Sequence, residues 1–138
     1  GYTDIADFII QHGSNVEQNL EEIFRRVAFY IIVGNSDDHF RNHGFLLTRK
    51  GWELSPAYDI NPTLSDNQSL LINRSTSESN LNILLASAGE YMLSTEKANR
   101  IITDVKTTMK SWRTEARRLG LLQRDIDMFA PRFDTRLF

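Results

Sequence analysis

The spacing of apolar and polar residues predicts that the chain begins with two helices. Between Tyr2 and His12 the apolar residues recur at helical spacing, and we expect a short helix that stops at Gly13. Ser14 and Glu17 then have the spacing of a capping box, in which each side chain hydrogen-bonds the backbone amide of the other residue. This pattern predicts that a second helix starts at Ser14.

The second helix carries the longest apolar stretch of the chain. From Val27 to Val33 it is apolar almost all round, so we expect that end to be buried on several sides. Gly34 is expected to end the helix. Its apolar face consists of Leu20, Ile23, Phe24, Val27, Ala28 and Ile31. The residues after Gly34 therefore leave a deeply buried helix end, which is a rigid place to hold side chains.

A short hairpin and a polar excursion are expected next. Residues 44–48 and 52–54 have the composition of two strands, with a turn at residues 49–51, and Pro56 stops the second strand. Residues 61–80 are rich in Ser, Asn, Asp and Thr, with one apolar island at residues 70–72. We expect this segment to cross the surface as a loop that includes at most one short strand.

The remainder of the chain is predicted to be helical. Residues 81–92 form a modest helix interrupted near Gly89, Ser94 caps a long helix that ends at Gly120, and a last short helix over residues 123–129 is closed by Pro131. The buried stripe of the long helix is expected to contain Ala98, Ile101, Ile102, Val105, Trp112, Ala116 and Leu119. The predicted fold class is mainly α with a small β-hairpin, in a single domain over residues 1–138.

Composition excludes several classes of protein. A formal net charge of −2 over 138 residues argues against direct nucleic-acid binding through a uniformly basic surface. The chain has no cysteine, which excludes disulfides and thiolate metal sites and fits a reducing compartment. No apolar run is long enough for a membrane span and no signal segment is present, so we expect a cytoplasmic protein without a membrane partner. The first residue is not Met, which suggests a fragment or a processed product.

The loop after Gly34 carries the residues most suited to chemistry. Asp37 is followed five residues later by Asn42, and Asp59 comes after the hairpin. A carboxylate at Asp37 can accept the proton of an attacking hydroxyl, while Asn42 and Asp59 offer oxygen ligands to Mg²⁺. His39 and Arg41 lie between them, able to hydrogen-bond the loop or to pair with phosphate. This arrangement is typical of phosphoryl transfer.

A plainer interpretation is a polar turn after a helix, because Asp and Asn are common there and an Asp with an Asn five residues later arises often by chance. The fuller order of buried helix, loop, hairpin and second Asp is much rarer. The five-residue spacing to Asn42 selects Asp37 over its neighbour Asp38. A zinc site built on His12, His39 and His43 is disfavoured, because His39 and His43 are expected to fall across a loop and a strand start rather than on one helix face.

Two stretches resemble the HipA-like serine/threonine kinases of bacterial toxin–antitoxin modules. They are Gly-Asn-Ser-Asp-Asp-His-Phe-Arg-Asn-His-Gly-Phe at residues 34–45 and Leu-Ser-Pro-Ala-Tyr-Asp-Ile at residues 54–60. The Asp-x-His-x-x-Asn core is also similar to phosphoinositide lipid kinases, which share the kinase-like fold. The second stretch favours the HipA-like family.

The resemblance implies roles for individual residues. Asp37 corresponds to the catalytic base, and Asn42 and Asp59 to the residues that hold magnesium. The helices after the site are similar to the helical C-terminal lobe of a protein-kinase-like fold. The implied reaction transfers the γ-phosphate of ATP to a Ser or Thr hydroxyl of a protein substrate, and the implied partner is a DNA-binding antitoxin.

The chain also departs from the kinase pattern. It has neither a glycine-rich phosphate loop nor a strand lysine, which kinases carry upstream of the catalytic Asp, and only 36 residues precede Asp37. We therefore expect that the N-terminal nucleotide-binding lobe is absent and that this chain alone binds ATP weakly and is inactive or weakly active. Two alternatives stay open: a non-catalytic binding module that associates with a separate N-terminal lobe or an antitoxin, and a kinase-like phosphotransferase that acts on a lipid or small-molecule hydroxyl.

Overall fold

A computed structural model describes residues 1–58, 60 and 65–137. Helices dominate this part of the chain, and the strands pair as one antiparallel hairpin. In order, the elements are α1 (Tyr2–His12), α2 (Val16–Val33), β1 (Phe45–Thr48), β2 (Gly51–Leu54), α3 (Leu81–Ala86), α4 (Thr95–Met109), α5 (Trp112–Arg118) and α6 (Gln123–Leu137), with 3₁₀ turns at Phe40–Asn42 and Ala88–Tyr91. The predicted fold class, mainly α with a small hairpin, is confirmed.

Helix α2 is the centre of the core. It packs against α1, α3, α4 and α6, so its side chains are enclosed on several sides. All six positions of its predicted apolar face are buried, as are the four residues Tyr30 to Val33 at its end. Complete burial of one large apolar side chain contributes about 1.5–3 kcal/mol, which makes this helix the largest single source of hydrophobic stabilisation. Gly34 ends α2 as predicted.

The capping box predicted for the start of α2 is wrong. The residue that caps α2 is Asn15, in the left-handed region at φ 49°, and it makes no side-chain cap hydrogen bond. The Ser14 hydroxyl instead donates to Glu53 at 3.3 Å, and the Asn15 amide donates to the same carboxylate. The Ser14 N–H also donates to the Trp52 carbonyl at 2.9 Å. Contacts with the hairpin therefore replace the local cap.

The long helix predicted from Ser94 to Gly120 is divided in two. Ser94 caps α4 as expected, with its hydroxyl accepting from the Lys97 N–H at 3.1 Å, but the helix ends at Met109 and α5 begins at Trp112. The break turns the Trp112 ring onto Phe133 of α6, with 4.9 Å between the ring centroids. Leu119, expected in the buried stripe, is 68% exposed. Packing of α5 against α6 decides where the helix breaks.

The last helix does not stop before Pro131. Helix α6 runs over Gln123–Leu137 with the proline inside it. A proline in a helix interior costs about 3 kcal/mol because it removes one backbone hydrogen bond and crowds the preceding turn. Three residues of α6 are buried on both sides of the proline: Ile126, Phe133 and Leu137. Their burial exceeds this cost, so tertiary packing overrides the local stop signal.

The polar excursion is anchored by its apolar island. Leu70 and Ile72 are buried, and the Leu71 carbonyl accepts from the Tyr2 N–H at 2.8 Å. Over residues 65–80 the backbone forms an isolated bridge between Asn67 and Glu78 rather than a strand. Within the described ranges, none of the helices combines the length and hydropathy that a bilayer span requires.

Replacing Leu84 with Ala tests the core. Its side chain is fully buried in α3, so we expect L84A to lower the free energy of unfolding by about 2–5 kcal/mol in urea titrations. The control is L119A at an exposed site, which should change it by less than about 0.5 kcal/mol. Equal effects of the two substitutions would contradict this description of the core.

The contact between α5 and α6 predicts a pH dependence. Hydrogen bonds from Arg113, and then from Trp112, hold the pKa of the Asp134 carboxyl below its ordinary value of 3.8. A carboxyl with a lowered pKa in the folded state stabilises the protein above its ordinary pKa, and this stabilisation is lost as the pH falls through the folded pKa. We therefore expect D134N to lower the Tm at pH 7, and the difference from wild type to close below about pH 4.

The control for this pH series is D104N, at an exposed position of α4. Calorimetric melting of all three proteins between pH 2 and 7 gives the comparison. A difference between D134N and wild type that stays constant with pH would show that the carboxylate charge contributes nothing.

Candidate catalytic loop

The loop begins at a sharp turn out of α2. Gly34 has φ 73°, in the left-handed region where a side chain would be strained, and its N–H donates to the Tyr30 carbonyl. The Asn35 N–H donates to the same carbonyl at 2.9 Å. The chain therefore leaves the buried end of α2 in a single fixed direction.

The residues after Gly34 are anchored by hydrogen bonds to Ser69, and the Asp37 side chain stays exposed. The Ser36 carbonyl accepts from both the N–H and the hydroxyl of Ser69, at 2.8 and 2.9 Å. Asn35, Ser36 and Asp38 are buried, whereas the Asp37 side chain is 73% exposed. Asp37 Oδ1 lies 2.9 Å from Nε2 of His39. The structure thus presents an accessible carboxylate on an immobilised backbone.

The second half of the loop is a 3₁₀ turn over Phe40–Asn42. The Asn42 side chain is buried, and its Oδ1 accepts from the His39 N–H at 2.9 Å. This contact fixes the orientation of the Asn42 amide. Arg41 is exposed, and its carbonyl accepts from the Tyr58 hydroxyl. Asp37, His39 and Asn42 are therefore linked within one turn.

Asp38 has the opposite environment to Asp37. Its side chain is 1% exposed, and its Oδ2 accepts from the Tyr2 hydroxyl at 2.7 Å and contacts Nε2 of His43 at 2.5 Å. Burial and the nearby carboxylate raise the pKa of Tyr2 far above its ordinary value, so its hydroxyl stays neutral and donates. The two adjacent carboxylates face opposite sides of the loop, one toward solvent and one toward the core.

The segment that leads to Asp59 is held close to the loop. The Ser55 N–H donates to the Gly44 carbonyl at 2.8 Å, and the Ser55 carbonyl accepts from the Arg26 guanidinium of α2. Asp59, predicted to hold magnesium, lies outside the described residues. Its approach to Asp37 and Asn42 therefore stays a prediction.

Sequence reasoning missed most of the contacts that support the loop. His43 was interpreted as a loop-packing residue, which its burial agrees with, but Asp38 was assigned no role, although the five-residue spacing of Asp38 and His43 repeats that of Asp37 and Asn42. Arg26 had a weaker signal, a charged residue close to an apolar helix end. Tyr2 had none, because a contact across 36 residues leaves no local pattern.

The oxygen donors of the loop suit a hard cation. An exposed carboxylate at Asp37 and an amide oxygen at Asn42 are ligand types that Mg²⁺ accepts. Over residues 1–58, 60 and 65–137, no group of three or more His, Asp or Glu side chains is arranged around a potential metal position. The described residues therefore offer oxygen donors of this kind at Asp37 and Asn42, and the predicted ligand Asp59 lies outside them.

Comparison with known proteins identifies the fold and the family. Residues 1–112 match the family model described as the HipA-like C-terminal domain. A Haemophilus influenzae protein named "Putative kinase" is 41% identical over 60 residues, which cover 43% of this chain and 18% of that protein. A solved structure, the Shewanella oneidensis MR-1 complex of the toxin–antitoxin proteins HipA and HipB with operator DNA, contains a chain that matches with a TM-score of 0.79 at 18% identity.

The structural match covers 99% of this chain and 34% of the Shewanella chain. The present chain thus spans about a third or less of the proteins it matches. The likeness in structure extends over all six helices, and the fold is that of the helical C-terminal lobe of a HipA-type protein. Because the family model covers well over half of its residues, this chain belongs to the HipA-like C-terminal domain family.

Proposed function

We propose that this chain carries the catalytic loop of an ATP-dependent serine/threonine protein kinase. The supporting observation is the contrast within the loop, where Asp37 is exposed while the residues on both sides of it are buried. A general base must be accessible to its substrate and held still, and this arrangement meets both requirements. Membership of the HipA-like family and the relative named as a kinase favour the same reaction.

Asp37 is proposed to accept the proton of the attacking hydroxyl. Its Oδ1 is engaged by His39 Nε2 at 2.9 Å, which orients the carboxylate and leaves Oδ2 for a Ser or Thr hydroxyl. His39 is itself tied to the turn, because its N–H donates to Asn42 Oδ1. The loop therefore positions the base through two successive hydrogen bonds, which is the main contribution a protein can make to phosphoryl transfer.

Asn42 and Asp59 are proposed to hold magnesium. The bound ion supplies charge neutralisation at the transferred phosphate. The contact from the His39 N–H keeps the Asn42 amide in one orientation, so its oxygen needs no rearrangement when a ligand arrives. The exposed guanidinium of Arg41 lies on the same turn and is suited to pair with phosphate.

The complete reaction is proposed for a longer protein or complex. A glycine-rich loop and a strand lysine, which kinases use to bind ATP, are not found in these 138 residues. The chain also spans only 18% and 34% of the two proteins that it matches. A DNA-binding antitoxin is the proposed partner, because the matching Shewanella HipA is in a complex with HipB and operator DNA.

Removing the Asp37 carboxylate should abolish phosphoryl transfer. In the complete protein that contains this chain, we expect D37N to lower kcat by about 10²–10⁴-fold, the range for loss of a general base. Its Tm should be unchanged, because the side chain is exposed. Transfer of radiolabelled γ-phosphate from ATP to protein measures the rate. D104N, at an exposed position of α4, is the matched control and should retain full activity; equal activity of D37N would refute the assignment.

Nucleotide binding separates the kinase proposal from the binding-module alternative. By calorimetry with Mg²⁺, we expect the 138-residue chain to bind ATP with a Kd near the millimolar range and the complete protein to bind in the micromolar range. The physical reason is that one face of an interlobe nucleotide site supplies only part of the contacts. Micromolar binding by the chain alone would show that it holds a complete site, and no binding by the complete protein would favour the non-catalytic module.

A further inference from the structure

Two pairs of residues in the catalytic loop have the same five-residue spacing: Asp37 with Asn42, and Asp38 with His43. Asp38 and His43 are buried, and each directly follows a residue of the proposed site. Asp38 Oδ2 and His43 Nε2 lie 2.5 Å apart, and both side chains are 1% exposed. This contact closes the loop on its buried side, opposite the exposed carboxylate of Asp37.

We propose that Asp38, His43 and Tyr2 form a positioning cluster that sets the separation between Asp37 and Asn42. The catalytic consequence rests on the function proposed above, whereas the mechanical consequence for the loop does not. The cluster acts through the backbone, because none of its three side chains is exposed toward the substrate side of the loop.

One carboxylate oxygen is the centre of the cluster. Oδ2 of Asp38 accepts from the Tyr2 hydroxyl at 2.7 Å and lies 2.5 Å from His43 Nε2. A carboxylate only accepts hydrogen bonds, so we assign His43 the tautomer that carries its proton on Nε2 and donates to Asp38. Because water is excluded at this site, the two hydrogen bonds are stronger than the same contacts at the surface.

The contact with Asp38 determines the orientation of the His43 ring. Nδ1 of His43 is buried and has no hydrogen-bond partner, although an unpaired buried polar atom is unfavourable. The ring keeps this orientation because it satisfies Asp38 through Nε2. The rings of Tyr2 and Tyr30 flank it, with centroids 5.9 and 6.1 Å away. His43 is thus clamped between two tyrosines with its donor directed at Asp38.

The cluster also links the loop to the rest of the fold. Tyr2 is the first residue of α1, and its N–H donates to the Leu71 carbonyl at 2.8 Å. The His43 N–H donates to the Phe40 carbonyl at 3.0 Å, which closes the 3₁₀ turn that contains Asn42. Loss of the Asp38 contact would therefore remove one tie between the Asn42 and Asp37 ends of the loop, and would leave the tie through His39.

Two substitutions of His43 separate positioning from packing. In His43→Gln the amide nitrogen can donate to Asp38 in place of Nε2, whereas in His43→Phe the ring is kept and the donor is lost. In the complete protein we expect H43F to lower kcat by about tenfold to a hundredfold, the effect of a misplacement near 1 Å, with KM for ATP and protein substrate nearly unchanged. H43Q should restore kcat to within about threefold of wild type, because the hydrogen bond is restored.

Hydrogen exchange in the 138-residue chain gives a readout that needs no activity. We expect H43F to speed exchange of the amides of residues 39–43 by at least about tenfold, while the amides of α4 change by less than about twofold. D134N is the matched control, because it breaks a partly exposed carboxylate contact between α5 and α6, far from the loop in sequence. It should leave the exchange of residues 39–43 as in wild type.

Each outcome bears on one proposal. If wild type transfers no phosphate, the proposed function fails, and the exchange data alone decide whether the cluster holds the loop. The cluster is refuted if H43F exchanges like wild type, if all helices exchange faster together, or if H43F and H43Q have the same kcat. If H43F does not fold, Tyr2→Phe takes its place, since it removes the other donor to the same oxygen, and it must speed exchange in residues 39–43 selectively.

Discussion

The geometry of the loop depends on one constraint, the burial of α2 up to the residue where it ends. Ile31, Ile32 and Val33 are at most 5% exposed, so the last turn of the helix cannot shift without opening the core. Its final carbonyls accept hydrogen bonds from the start of the loop and from α6. The Tyr30 carbonyl accepts from Asn35, and that of Ile31 accepts from Arg136 of α6. A loop that starts from such an end inherits its rigidity, which is the property that phosphoryl transfer requires of a protein.

Adjacent residues of the same type have opposite environments in this loop. Asp37 is accessible and contacts a half-exposed histidine, whereas Asp38 is enclosed and contacts a buried histidine. Hydrogen-bond contacts to Tyr2 and His43 hold Asp38 on the buried side, while the adjacent Asp37 side chain is open to solvent. A carboxylate proposed for chemistry and a carboxylate proposed for positioning are thus neighbours in sequence.

The sequence predicted correctly the features of the fold that depend on interactions between residues close together in the chain. The apolar face of α2, the stop at Gly34 and the cap at Ser94 follow from helical periodicity and end chemistry, and all agree with the structure. Predictions failed where distant residues compete with local ones. Glu53 takes the side chain of Ser14 away from its helix, and packing on α2 carries α6 through Pro131. At the site, spacing picked out Asp37 and Asn42, but Tyr2 reaches Asp38 through a contact that only the folded chain creates.

The hydrogen bond from Arg136 to the Ile31 carbonyl joins residues 105 positions apart. During synthesis from the N-terminus, α2 and the proposed catalytic loop therefore leave the ribosome well before α6 exists to support the end of α2. Contacts of such long sequence separation form late, because the entropy of closing the chain must be overcome first. The support that α6 gives to the end of α2 would consequently form late, after every proposed catalytic residue has been synthesised.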